Sequence, residues 1–314
     1  MTPRPLFLLS PPRSGSTLLQ RMLAAHEGIA TVSEPWILLP PLTALSRTGA
    51  FATWHQWSLG QALTDFCAEL PGGERDYLDA VARFAGELYA RVAPDAQYFL
   101  DKTPRYHLVV DRLLEAFGED ASFVWLWRNP LAIAASYLDS WGHGRWNLHY
   151  FAHDLYNGVA NLADAFETQH ANAVVVHYEQ LVANPAEELA RILSGLGLSA
   201  APGIHERFTE VELRGHEGDR VGSRRYSAVS TQPLGQWRWT FANPIRRRWA
   251  ARYLAWLGDD RLRLMGYDRV ELLSQLEREI APGRVALDSL QIMRGSAYTA
   301  LKSRLMHVDA RVWR

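Results

Sequence analysis

Short apolar runs alternate with longer amphipathic segments along the first two thirds of the chain. The apolar runs are bounded by Pro, Gly, Ser or Asn, which is typical of buried strands. We predict strands at Leu6–Ser10, Gln97–Leu100, Ser122–Trp127 and Ala173–Tyr178. Apolar residues three or four positions apart predict helices at Thr17–Ala25, Tyr77–Val92, Tyr106–Phe117 and His149–His170, and after Asn129-Pro130 and Asn184-Pro185. This alternation predicts an α/β fold with a parallel sheet flanked by helices.

Two regions depart from this pattern. Residues 35–73 are rich in Pro, Trp and Gly and show weak periodicity, so we expect an irregular insertion. We divide the chain into one α/β domain over 1–268 and a basic, amphipathic helical extension over 269–314. Residues 283–314 carry six cationic side chains against two acidic ones, with apolar residues three or four apart. We expect that apolar stripe to pack on the protein's own core; the alternatives are contact with a membrane surface or with a second copy.

Composition limits the class of protein. The 314 residues are 48% hydrophobic and 21% charged, which excludes a disordered or fibrous chain. Lys and Arg number 33 against 34 Asp and Glu, so we expect no nucleic-acid partner. Cys67 is the one cysteine and cannot form an internal disulfide. No apolar run is long enough to span a membrane, and we predict a cytoplasmic protein with peripheral membrane contact through its tail as an option.

The strongest chemical signal is the segment Ser10-Pro-Pro-Arg-Ser-Gly-Ser-Thr17, between a predicted strand and a predicted helix. Such a loop presents backbone N–H groups and a helix N-terminus to an anion, and hydroxyls can add hydrogen bonds. The nucleotide-binding P-loop has Lys where this chain has Ser16, and the cation is instead Arg13. The loop is therefore P-loop-like, suits a phosphate-like group and disfavours hydrolysis of ATP or GTP.

A second candidate anion site follows the strand Ser122–Trp127. Arg128-Asn129-Pro130 ends this strand and opens the next helix, and Ser136 comes eight residues after Arg128. An Arg at the carboxyl end of a strand and a Ser two turns into the next helix can converge on one anion.

Together, these motifs resemble the sulfotransferases that use 3′-phosphoadenosine 5′-phosphosulfate (PAPS), in particular the bacterial branch and the protein-tyrosine sulfotransferases. The resemblance implies that the loop holds the 5′-phosphosulfate of the donor and that Arg128 and Ser136 hold its 3′-phosphate. The loop residues concerned are Pro12, Arg13, Ser14, Gly15, Ser16 and Thr17. PAPS is then a donor co-substrate, and no metal is expected.

The resemblance also implies catalytic residues. Glu34 lies 21 residues after Arg13, where the tyrosine enzymes have their base. Arg13 and Lys102 would stabilise the transferring group, and Asp101 is either a rival base or a residue that orients Lys102. Lys102 is one of two lysines in a chain otherwise rich in arginine.

Further candidates are weaker. Ser223, Tyr226 and Trp237 resemble the late segment that closes over the donor, and a core role for Trp237 is an equal alternative. Acceptor-lining candidates are His26, Trp36, Trp141 and His143, because rings with polar tips stack on sugars or aromatic groups. His149 and His153 share a helix face, but the His-Glu-x-x-His pattern of a zinc site is absent.

We therefore predict a PAPS-dependent sulfotransferase that transfers a sulfuryl group in line to a hydroxyl of a carbohydrate or small metabolite. A lipid-linked glycan and a peptide tyrosine also remain as acceptors. The alternatives from other classes are a P-loop-related kinase and a module that binds the bisphosphate nucleotide without turnover.

Overall fold

Five parallel strands form the centre of the computed structural model, which describes residues 2–46, 56–169, 173–215, 228–277 and 285–306. Their order across the sheet is β2-β3-β1-β4-β5. The strands are β1 (Arg4–Leu9), β2 (Ile29–Thr31), β3 (Tyr98–Asp101), β4 (Ser122–Trp127) and β5 (Ala173–His177). The predicted α/β class and parallel sheet are confirmed.

Helices cover both faces of the sheet. Those before β5 are α1 (Ser16–Ala24), α2 (Leu39–Ala44), α3 (Gln56–Ala68), α4 (Glu74–Val92), α5 (Val110–Phe117), α6 (Pro130–Gly142) and α7 (Val159–Gln169). Those after it are α8 (Tyr178–Ala183), α9 (Pro185–Gly195), α10 (Gln236–Thr240), α11 (Pro244–Leu257), α12 (Asp259–Leu264), α13 (Arg269–Glu277) and α14 (Val285–Met306). None of these described helices combines the length and apolar character needed to cross a bilayer.

Alternating residues of the strands feed two separate cores. Phe7, Phe99 and Trp125 pack on one face of the sheet. Leu8 and Val124 pack on the other face, against α1 and α9. A strand that is buried on both faces reads as a continuous apolar run, which is why β4, with the sequence Ser-Phe-Val-Trp-Leu-Trp, could be predicted to the residue.

Several elements differ from the prediction. The segment expected to be irregular contains α3, whose buried positions are Gln56, Gly60 and Cys67 and therefore show no apolar stripe. Strand β2 has three residues, too few for a pattern. The predicted helix His149–His170 includes a π-helical turn at His153–Gly158, in which Asp154 is buried.

The C-terminal extension is attached by a buried ion pair and by ring and apolar contacts, among them Ile292 on the main core. In α14, Asp288 is 1% exposed and pairs with Arg246 of α11 at 2.8 Å, and Gly295 packs on the ring of His149. This leaves the apolar stripe facing outward, with Met293 62% and Leu301 59% exposed. For the part of the stripe that the structure describes (Leu290, Met293, Ala297 and Leu301), the expectation that it packs on the core is therefore contradicted.

The predicted boundary at residue 268 stays a prediction. Leu272 and Leu276 of α13 are buried in the same core as β4, so the helix just beyond that boundary packs as part of the body. This burial favours a boundary after α13 rather than before it.

Candidate active site

Four loops meet at the carboxyl edge of the sheet. The order of the strands determines the order in which these loops lie along that edge. Glu34 follows β2, Lys102 follows β3, the loop of residues 10–15 follows β1, and Arg128 follows β4. Adjacent parallel strands are about 4.8 Å apart, so the loop is flanked by Lys102 on one side and Arg128 on the other. Ligands of open α/β sheets bind at such an edge.

The loop after β1 has the geometry of an anion cradle. Arg13 and Gly15 have left-handed backbone, with φ of 70° and 89°. Helix α1 then begins at Ser16 with no side chain capping its N-terminus. The hydroxyls of Ser10 and Ser14 are buried and have no hydrogen-bond partner among the described residues. Free donors of this kind, around a helix N-terminus, fit a phosphate or sulfate group.

Gly15 is required here for two reasons. Its φ is unfavourable for other residues, and a Cβ at this position would lie 2.4 Å from ring carbons of Tyr178. The Tyr178 ring also lies under the guanidinium of Arg128, 4.3 Å from its centroid. Tyr178 thus contacts both the loop and the strand-end arginine.

Arg13, Arg128 and Ser136 are brought together on the β4 side of the loop. Nε of Arg13 donates to Oγ of Ser136 at 3.2 Å, and its Nη2 donates to Oγ of Ser140 at 3.0 Å. Arg128 donates to the carbonyl of Arg13 at 2.8 Å, while its buried Nε has no partner among the described residues. Arg128 and Ser136 therefore both contact Arg13, and their convergence on one anion stays a prediction.

Lys102 and Glu34 form an ion pair on the β3 side of the loop. Nζ of Lys102 lies 2.7 Å from Oε1 of Glu34 and 3.4 Å from Oγ1 of Thr17. The Lys102 side chain is 1% exposed and that of Glu34 is 12% exposed. Trp36 donates from its indole to the other oxygen of Glu34 at 3.1 Å. Both carboxylate oxygens of Glu34 therefore have hydrogen-bond partners, and one of these partners, Lys102, also contacts Thr17 of the loop.

Asp101, the residue before Lys102, holds in place the segment that carries this ion pair. It is fully buried and accepts hydrogen bonds from the hydroxyls of Tyr89, Tyr106 and Thr103. Burial raises the pKa of Asp101 to about 6, against the opposing effect of these hydrogen bonds and of Lys102. Thr103 in turn accepts from the backbone N–H of Trp36. Because Asp101 is fully buried, its carboxylate is not accessible to the hydroxyl of an acceptor, and its hydrogen bonds orient neighbouring groups. Both features argue against its role as a rival base.

A second polar cluster lies beside the site. Asp154 accepts hydrogen bonds from His107 and Tyr137 and pairs with Arg105 at 2.7 Å. Burial alone raises the pKa of Asp154, but the bond from His107 and the positive charges hold it below its ordinary value. The Arg105 side chain remains 38% exposed. Across all described residues, no group of three or more His, Cys, Asp or Glu is arranged to hold a metal.

Two of the weaker site predictions are contradicted. His26 lies at the opposite, amino edge of the sheet, where its ring accepts from the N–H of Gly28 and contacts the carbonyl of Ser199. Trp237 is 2% exposed in the main core, where α10 packs on α6, so its ring is not open to an adenine. Ser223 and Tyr226 lie outside the described residues.

The other acceptor candidates are accessible. Trp36 is 39% exposed beside Glu34. Trp141 is 63% exposed and directly follows Ser140, the partner of Arg13. His143 is exposed where α6 ends, in left-handed backbone, and its part in the site stays a prediction.

Sequence reasoning missed several residues that shape the site. They are Tyr178, which contacts Gly15; Ser140, which follows Ser136 by one helical turn and accepts from Arg13; and Thr103, which bridges Asp101 to Trp36.

Comparison with known proteins identifies the family of this chain. The family model described as "Sulfotransferase family" matches residues 5–202. Nodulation protein NoeE of Sinorhizobium fredii is 32% identical over 266 residues, which cover 76% of this chain and 61% of NoeE. A putative protein-tyrosine sulfotransferase of Caenorhabditis briggsae is 22% identical over 264 residues, which cover 81% of this chain and 89% of that protein. The chain thus spans less than two thirds of the length of NoeE.

A solved structure shows the same fold. The sulfotransferase domain of the Synechococcus PCC 7002 olefin synthase superposes with a TM-score of 0.53 at 23% identity, over 76% of this chain and 88% of that domain. The sequence match extends from β1 into the loop after α9 and so includes all four loops of the candidate site. On these grounds the chain belongs to the sulfotransferase family.

Proposed function

We propose that this chain transfers a sulfuryl group from PAPS to a hydroxyl of an acceptor. The observation that carries the proposal is the row of groups along the carboxyl edge of the sheet: the paired Glu34 and Lys102, the anion cradle after β1, and Arg128. An in-line transfer requires a base, a cation and a phosphate site, and the row offers these groups side by side. The resemblance to the PAPS-dependent enzymes supplies the identity of the donor.

The donor would be held through its two anionic ends. Backbone N–H groups at the start of α1 and the hydroxyls of Ser14, Ser16 and Thr17 suit the 5′-phosphosulfate. Arg128, with a buried Nε left to donate, and Ser136 suit the 3′-phosphate. Arg13 is shared between Ser136 and Ser140, and would turn from them to the phosphosulfate when it binds.

Glu34 would act as the base. It accepts the proton of the acceptor hydroxyl while the oxygen of that hydroxyl forms a bond to sulfur. The bond from sulfur to the 5′-phosphate breaks, and adenosine 3′,5′-bisphosphate leaves with the electron pair. Once Glu34 is neutral, its attraction for Lys102 falls, which frees Nζ to stabilise the charge on the leaving oxygen. Lys102 is already close to Thr17 of the loop, which supports this exchange.

The acceptor would be a hydroxyl of a carbohydrate or a small metabolite. The exposed rings of Trp36 and Trp141 support this class, since aromatic faces stack on sugars. A cytoplasmic location remains a further prediction.

Calorimetric titration with adenosine 3′,5′-bisphosphate tests the donor assignment. We expect micromolar binding by the wild type, loss of at least tenfold in affinity in Arg128→Ala, and no change in Arg252→Ala, which removes an exposed arginine of α11. ATP with magnesium serves as the comparison. Preference for ATP, or no binding of the bisphosphate, would favour the kinase and refute the proposal.

Glu34→Gln separates an enzyme from a binding module. We expect bisphosphate affinity to stay within about twofold while sulfuryl transfer falls about 100-fold or more. Glu27→Gln, at an exposed position beyond the end of α1, is the matched control. Unchanged transfer in Glu34→Gln would remove Glu34 from the mechanism.

We propose that a second copy of the chain covers the exposed apolar face of α14. Leu290, Met293, Ala297 and Leu301 are exposed at spacings of three and four residues, as in paired helices. Light scattering should give a dimer for the wild type and a monomer for Met293→Glu. A monomeric wild type that floats with anionic liposomes would support the membrane alternative instead.

A further inference from the structure

An apolar cavity of about 590 Å³ lies between helix α4 and the segment that follows Glu34. Its volume is within the range of small-molecule sites. One wall belongs to residues 37–41 and the other to the first half of α4. The lining residues are Ile37, Pro40, Pro41, Tyr77, Ala80, Val81 and Phe84.

The geometry of α4 locates this cavity on the same side of the sheet as the candidate active site. The hydroxyl of Tyr89, on α4, donates to Asp101 at the carboxyl end of β3 at 2.6 Å. Only five residues separate α4 from β3, so the helix runs antiparallel to the strand. Residues 77–84 lie 5 to 12 positions before Tyr89 and are therefore roughly 8–18 Å from Tyr89 along the helix, in the direction of that edge.

The opposite wall is continuous with the catalytic segment. Ile37 directly follows Trp36, whose indole N–H bonds Glu34 at 3.1 Å. The hydroxyl of Tyr77 donates to the carbonyl of Pro41 at 2.8 Å and so joins the two walls. A molecule with one end at Glu34 therefore has the cavity within reach of its other end.

The lining side chains determine which kind of molecule the cavity can bind. None of the seven side chains is charged, and the single polar side-chain group, the Tyr77 hydroxyl, already donates to Pro41. The walls offer little to the hydroxyls of a sugar, whereas a hydrocarbon chain gains free energy in proportion to the apolar area it buries there. The Phe84 ring is 48% exposed at the cavity, which leaves apolar surface to cover.

We propose that the cavity binds the hydrocarbon chain of the acceptor, and that the acceptor is an amphiphile with a hydroxylated head group at Glu34. This inference rests on the proposed function, because it names the substrate class of the same site. It narrows the acceptor from any carbohydrate or metabolite to one that carries an alkyl or acyl chain.

The test is binding of methyl, hexyl and octyl β-D-glucoside, measured by calorimetry below their micellar concentrations and without nucleotide. We expect affinity to rise with chain length, by up to about fourfold per methylene group. Ala80→Trp should fill the cavity from an exposed position and weaken octyl glucoside at least tenfold. Ala186→Trp, at an exposed position of α9, is the matched control and should leave binding unchanged. Equal affinity for the methyl and octyl compounds, or no effect of Ala80→Trp, would overturn the proposal.

Phe84→Ser provides a second variant that keeps the cavity open. It removes an exposed apolar wall, so octyl glucoside should bind at least threefold more weakly while methyl glucoside is unaffected. Weakening of both compounds alike would contradict a site for the chain.

Titration of the same preparations with adenosine 3′,5′-bisphosphate separates this inference from the proposed function. Binding of the bisphosphate without preference for the longer glucoside overturns the cavity assignment and leaves the proposed function standing. Chain-length preference without bisphosphate binding refutes the proposed function and with it the assignment of the cavity to an acceptor. If octyl glucoside changes only the oligomeric state of the chain, the cavity is a contact between copies and the proposal fails.

Discussion

Replacement of the buried carboxyl group beneath the candidate site should remove a pH-dependent contribution to stability. Asp101 has a pKa raised by burial from 3.8 to about 6 in the folded protein. It is therefore protonated more readily in the folded than in the unfolded chain. Its contribution to the free energy of unfolding is fully present below a pH of about 3.8 and is lost as the pH rises through about 6.

The magnitude follows from the size of the shift. Each pKa unit corresponds to about 1.36 kcal/mol, so the full difference is about 3 kcal/mol. Between about pH 4.5 and about pH 7.5 the wild type should lose about 2 kcal/mol from this group alone. Asp101→Asn cannot titrate and keeps the shape of the side chain. The hydroxyls of Tyr89, Tyr106 and Thr103 can rotate to accept from its amide.

Urea denaturation at the two pH values measures this effect. The quantity of interest is the difference in free energy of unfolding between wild type and Asp101→Asn, because groups common to both proteins cancel. We expect that difference to move by about 2 kcal/mol in favour of the variant at the higher pH. Asp95→Asn, at an exposed position, should show no such movement. A difference that stays constant with pH would refute the argument that burial dominates at Asp101.

Two other substitutions test features of the fold. Gly15→Ala adds a Cβ in left-handed backbone, 2.4 Å from the Tyr178 ring, so the free energy of unfolding should fall by about 1–3 kcal/mol and the bisphosphate affinity should fall with it; unchanged urea denaturation would contradict this packing. Asp288→Ala leaves the buried Arg246 without its carboxylate partner, so we expect a loss of about 3 kcal/mol and faster hydrogen exchange in α14, whereas exchange equal to wild type would show that other contacts hold the helix.

The loop after β1 and the strand-end arginine of the candidate site could be predicted because their sequence signals are local. The loop from Ser10 to Thr17 lies within eight residues between a strand and a helix, and Arg128 directly follows the most apolar strand. Parallel strands bring such segments to one edge of the sheet, so a βα pattern is enough to place them side by side. Glu34 was identified by resemblance alone, since β2 before it has only three residues.

The remaining parts depend on contacts between distant positions. The sequence around Asp101 does not reveal that the hydroxyl of Tyr89, on α4, donates a hydrogen bond to it. Nor does the sequence around Gly15 reveal that the ring of Tyr178, the residue after β5, packs against it. The stripe of α14 is visible in the sequence, but its orientation is set by Asp288 and its partner Arg246, 42 residues away. His26 comes just after α1, and this helix returns the chain to the amino edge of the sheet, away from the candidate site.

The ring of Tyr178 has a consequence for how this site can change during evolution. It fills the space above Gly15 and supports the guanidinium of Arg128, so one side chain contacts both the loop after β1 and the arginine at the end of β4. A smaller residue at 178 would remove the clash with a Cβ at 15, but the left-handed backbone there would still favour Gly, and Arg128 would lose its support. A larger residue at 15 would displace the ring. Substitutions at positions 15, 128 and 178 are therefore expected to occur together. Related sequences that differ elsewhere should keep the same combination of residues at these three positions.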